Sequence, residues 1–157
     1  RGSADADPAC RQAVAADLHR AAALAEDAGL VVACEYHART LTDTCQSALQ
    51  LIGEAGHPNL QLYWQPPLGR APEDGTEDLR AVLPHLLNLH VFHWVGAGGA
   101  RERRPLAEGA EAWRGILALA ASTGRPHWAL IEFVRGNAPD QLLADARTLR
   151  GWCADAE

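Results

Sequence analysis

The sequence predicts a parallel α/β fold: four consecutive βα units of a (β/α)8 TIM barrel, forming a single domain over residues 1–157. Two observations carry this. Helix-period and strand-like segments alternate from end to end, with no short repeat and no low-complexity linker. The strands end near residues 35, 65, 92 and 134, giving units of roughly thirty to forty residues, the size used in such barrels. Strands alternating with helices imply a parallel sheet with right-handed crossovers. A whole barrel needs about 250 residues, so this chain supplies about half of one.

Each element has a local reason. Asp7-Pro8 reads as an N-cap with proline in the first helical position. The helix then runs through Val14, Leu18, Ala22 and Leu24 to a stop at Gly29. A strand follows over Leu30 to Tyr36. Thr40-Leu41-Thr42-Asp43 resembles a capping box opening a helix through Leu49 and Ile52. The second strand, Asn59 to Trp64, ends at Gln65-Pro66-Pro67, and Gly69 to Gly75 has loop composition. Thr76 is expected to cap a third helix through Leu79 and Val82, before a third strand over Leu87 to Trp94. Gly96 to Arg104 reads as a long polar loop; Gly96-Ala97-Gly98-Gly99 within it lacks the strand-loop-helix context of a dinucleotide fingerprint. The fourth helix carries Trp113, Ile116, Leu117 and Ala120, and the fourth strand spans His127 to Val134. Asn137 is expected to cap the last helix, through Leu142, Leu149 and Trp152.

Composition narrows the function. Hydrophobic residues make up 48% and charged residues 22%, with no apolar run approaching the eighteen or so residues of a membrane helix. The formal net charge of −6 argues against nucleic acid as main partner, because neutralising phosphates needs a basic face. No signal peptide is visible. Cys10, Cys34, Cys45 and Cys153 show no CxxC spacing and read as thiols in a reducing cytoplasm. All fourteen Lys+Arg residues are arginine and there is no methionine; with Arg1 in first position, the chain is expected not to be a complete translation product.

In parallel α/β folds, chemistry gathers at the C-terminal ends of the strands. Here each end carries a polar side chain. In ACEYH, Glu35 and His37 lie two apart, so an extended chain places them on one face. Gln65 follows Tyr63-Trp64, LHVFHW contains His90 and His93, and ALIEFV holds Glu132 among apolar residues. A carboxylate buried there costs several kcal/mol unless paired or bound to a cation. A structural salt bridge would also satisfy it, and any one of the histidines fits a core residue. Together, two carboxylates, an imidazole and an amide oxygen suit Mn²⁺, Mg²⁺ or Zn²⁺. Carboxylates on such an ion serve as base and acid beside a carbonyl.

Taken together, ACEYH, NLHVFHW, LAEGAEAW (Leu106 to Trp113), ALIEFV and APDQLLADARTLRGW resemble the C-terminal half of a xylose isomerase-like TIM barrel, the sugar phosphate isomerase/epimerase superfamily. The resemblance covers essentially the whole chain. It implies a divalent-metal-dependent sugar or sugar phosphate isomerase or epimerase, acting by proton transfer through an ene-diolate. It places the metal on Glu35, Gln65, His90 and Glu132, with Glu35 and Glu132 as the catalytic pair. Gln65 departs from the family's usual Asp, removing one negative charge. His37, Trp64, His93 and Arg103 are expected to contact substrate, a sugar-like small molecule; His37 also fits a partner of Glu35, Trp64 a core residue, and Arg101, Arg103 and Arg104 a solvated loop.

Two other classes compete. A decayed barrel serving as a binding or structural module fits Gln65. An AP endonuclease-like phosphodiesterase would need more metal ligands and a basic face. A half barrel leaves strand edges unpaired, so pairing with an N-terminal half or self-association as a homo-oligomer is expected.

Overall fold

The computed structural model describes residues 2–67, 72–96 and 98–156. Gly69–Ala71 of the expected Gly69–Gly75 loop, and Ala97 of the glycine-rich stretch, lie outside the described residues, while Pro72–Gly75 forms a short 3-10 helix rather than open loop. The main sheet is parallel and four-stranded, in the order β1 (Val32–Glu35), β2 (Leu60–Trp64), β3 (Leu86–Val91), β6 (Trp128–Ile131). A short antiparallel pair, β4 (Trp94–Val95) and β5 (Glu102–Arg103), stands apart from it. The helices are α1 (Pro8–Asp27), α2 (Cys45–Ala55), α3 (Thr76–Val82), α4 (Ala110–Ala121) and α5 (Pro139–Ala156). The chain forms two compact units, Arg1–Trp64 with Pro84–Leu87, and Gln65–Leu83 with Asn88–Glu157.

In the first unit, Asp7 caps α1 by accepting from Cys10 N at 2.8 Å, with Pro8 in the first turn as expected. Helices α1 and α2 pack on β2. The side chains of Leu60, Leu62 and Trp64 are at most 1% exposed while Gln61 and Tyr63 alternate with them, the period of two that marks a sheet with one face covered. The expected capping box does not open α2. Thr44 does, accepting from Ser47 N at 3.2 Å. The earlier hydroxyls bind backbone instead: Thr42 Oγ1 donates to Glu35 O and Thr40 Oγ1 to His37 O. Such local side-chain bonds compete with helix initiation.

In the second unit, Leu79, Val82, Leu89, Val91, Leu106, Trp113 and Ile116 form the buried core. Trp113 Nε1 donates to Phe92 O at 3.0 Å. Asp145, 2% exposed, accepts from Leu106 N at 2.9 Å and Gln141 Nε2 at 2.8 Å; it ties α5 to the turn before α4 and no motif announced it. Three expectations need correction. Thr76 is the first residue of α3 and Gly75 occupies the cap. The third strand stops at Val91, and part of the expected polar loop returns as β5 against β4. Asn137 closes a turn at φ 50° and α5 starts at Pro139; asparagine tolerates that left-handed backbone, and proline is pre-set for a helix start.

No helix among the described residues is long and apolar enough to cross a membrane. The four cysteines are free thiols.

Candidate metal centre

Register explains what converges in the second unit. His90 of β3 pairs with Leu130 of β6, so the two side chains share a face of the sheet. Glu132, two residues beyond Leu130, continues that face, and its backbone N–H extends the ladder to Val91 O at 3.2 Å. Gln65 is 6% exposed. Its Oε1 lies 3.1 Å from His90 Nδ1, and Glu132 Oε2 lies 3.5 Å from the same nitrogen. Glu132 is not the strand-interior carboxylate the sequence suggested. It follows the last residue of β6, with 27% of its side chain exposed against 20% for His90, so solvation relieves part of its burial cost.

One imidazole nitrogen thus faces an amide oxygen and a carboxylate oxygen. A protonated Nδ1 donates well to Gln65, the 3.5 Å approach of Glu132 being long for a hydrogen bond. With the proton on Nε2, three lone-pair donors converge instead. Nitrogen and oxygen donors of that kind fit Mn²⁺, Mg²⁺ or Zn²⁺.

In the first unit, Glu35 is the last residue of β1, half-buried and in register with Tyr63. The Thr42 hydroxyl on its carbonyl fixes the point where the chain leaves the strand. His37 lies beyond the strand, so alternation does not extend to it. It is exposed, with Nδ1 3.0 Å from Ala38 O.

The other expected substrate contacts separate. Trp64 has 0% exposure and no surface to offer a ligand. His93 lies two residues past β3, its ring against Gly109, where an added Cβ would stand 2.7 Å from Nδ1. Gly109 is therefore a packing requirement of His93, which LAEG alone did not reveal. Arg103 lies on β5, among aromatic rings.

A parallel βα sheet with imidazole, amide and carboxylate gathered at its C-terminal strand ends has the strand-end arrangement of a TIM barrel. The chain belongs to the xylose isomerase-like TIM barrel family, whose profile matches residues 1–152. It is 31% identical over 167 residues to a 3-dehydroshikimate dehydratase of Bacillus anthracis, covering 95% of this chain and 58% of that one. The crystal structure of the probable 3-DHS dehydratase AsbF, involved in petrobactin synthesis in Bacillus anthracis, superposes with a TM-score of 0.78 at 26% identity, covering 96% of this chain and 60% of that one. The chain thus spans about three fifths of the length of these relatives. Both are named as dehydratases, not as isomerases or epimerases.

Proposed function

We propose that the whole protein is a metal-assisted dehydratase, acting on a hydroxylated ketone of the 3-dehydroshikimate type. The observation that carries this is the convergence of Gln65, His90 and Glu132 at the C-terminal ends of parallel strands. The names of the two relatives favour water loss over the isomerisation that family resemblance alone suggests.

Gln65, His90 and Glu132 would hold the ion, and the family resemblance adds Glu35. A divalent ion in that position supplies Lewis-acid polarisation of a carbonyl oxygen. Glu132 takes the proton from the carbon beside the carbonyl and, as the C–O bond on the next carbon breaks, passes it to the departing hydroxyl, which leaves as water. One proton and one hydroxide leave the substrate, so the step balances as loss of water. Gln65 contributes an oxygen without a charge, leaving the site less negative than one built on three carboxylates.

The test is turnover of 3-dehydroshikimate by the whole protein with Mn²⁺, Mg²⁺ or Zn²⁺, beside its Glu132→Gln variant. Metal-dependent water loss, lowered about 10²–10⁴-fold in the variant as expected for a proton-transfer group, supports the reading. Interconversion of ketose and aldose without water loss would replace it with the isomerase or epimerase reading. Stable protein with neither metal uptake nor turnover would sink both.

A further inference from the structure

Resting on the dehydratase reading of this strand end, we infer that Arg103 is its specificity-determining residue, a pre-oriented guanidinium that selects substrates bearing a carboxylate. The β4–β5 pair follows closely on β3 and sets Trp94 opposite Arg103. Arg104 N donates to His93 O at 2.9 Å, extending that pairing. Phe133, the residue after Glu132, meets Trp94 edge-on with ring centroids 5.6 Å apart. The guanidinium carbon of Arg103 lies 4.7 Å from the Phe133 centroid and 5.1 Å from that of Trp94. Arg103 therefore rests in a corner of two nearly perpendicular rings. Its Nη1 also donates to Asn137.

Charge pairing separates Arg103 from its neighbour. Arg104 takes both nearby carboxylates, Glu108 at 2.8 Å and Glu102 at 3.1 Å. Arg103 is half-buried and has no acidic partner among the described residues. Arg101 also meets Trp94, its guanidinium carbon 5.7 Å from the ring centroid. Aromatic contact holds an arginine by its π-face and leaves the in-plane N–H groups available. Asn137 uses one of the five. The remaining fork matches the two oxygens of a carboxylate, which it binds bidentately. Phosphate oxygens share that chemistry. The carboxylate is favoured because a substrate of the 3-dehydroshikimate type bears one, and Arg104 already has its counter-charges.

The experiment titrates the whole protein by calorimetry with shikimate, which keeps ring and carboxylate but lacks the ketone. Methyl shikimate is the uncharged control and inorganic phosphate the competing oxyanion. Shikimate binding about 10–100-fold weaker in Arg103→Gln, as for loss of a charge-assisted pair, supports the inference. Partial recovery in Arg103→Lys and no change in Arg104→Gln support it too, the first because charge without the fork restores only part, and also because it excludes simple misfolding. Equal binding by wild type and Arg103→Gln, equal binding of acid and ester, or tighter binding of phosphate than of shikimate would overturn it. Turnover of 3-dehydroshikimate by the wild type, measured in parallel, reports on the dehydratase reading alone.

Discussion

Strands β2 and β6 differ in how well their sequences foretell burial. LQLYW alternates, and Leu60, Leu62 and Trp64 are almost fully buried, as alternation implies. WALI is apolar throughout, yet Trp128 is 73% and Leu130 40% exposed. Burial is decided by what packs on a face, and α1 and α2 cover one face of β2. In β6, Ala129 and Ile131 occupy the less exposed face and Trp128 and Leu130 the more exposed one. An apolar run says that a strand is able to be buried on both faces; alternation says which face will be.

Leu62→Ala against Trp128→Ala is the largest contrast. Truncating Leu62, at 0% exposure, is expected to cost about 2–5 kcal/mol. Truncating Trp128 in the 157-residue chain is expected to change stability by about 0.5 kcal/mol or less. Urea unfolding of the two variants measures both. Similar losses would mean that Trp128 is covered in solution, and the contrast would fail.

Asp145→Ala probes the second unit by a polar route. It removes the acceptor of Leu106 N and of Gln141 Nε2, leaving a buried N–H unpaired, at about 1–3 kcal/mol. Asp145→Asn, which keeps an acceptor oxygen, should recover part of this. A thermal melt unchanged in both variants would show that water replaces the carboxylate.

The smallest effect concerns Cys34, which pairs with Leu62 in the β1–β2 ladder. Burial raises its thiol pKa by disfavouring the thiolate. The sign follows: the neutral thiol is preferred in the fold, so its contribution to stability is present below the ordinary thiol range of about 8.5. It is lost as pH rises through the raised folded value. At pH 8, a thiol reagent is therefore expected to label exposed Cys10 well before Cys34. Equal rates would mean that the β1–β2 ladder opens on the labelling timescale.

Much of the frame was legible. The Asp7-Pro8 start, the helix end before Gly29 and four strands separated by helices rest on local chemistry, and they appear as expected. His90, Gln65 and Glu132 stood out because polar residues at the ends of apolar segments need a reason, and the second unit brings them together. The role of Trp64 was not legible, because tryptophan serves equally as core and as pocket wall. Nor was His37, since its assignment depended on extended backbone beyond Glu35, where β1 ends. Thr40 and Thr42 looked like caps because their hydroxyls are able to bind either helix N–H groups or loop carbonyls, and only the folded chain selects.

By itself, the sequence determined the order of elements, the parallel sense of the sheet and the residue types at its strand ends. These depend on periodicity, capping chemistry and the length of each connection, all of which act over a few residues. Tertiary structure alone decided that Arg104 rather than Arg103 takes the glutamates, that Asp145 anchors the turn before α4, and that Trp64 is hidden while Trp128 is open. Those outcomes turn on which distant segments arrive beside a side chain. The free energy of a charge or a ring is fixed by its neighbours in space, which local pattern does not encode.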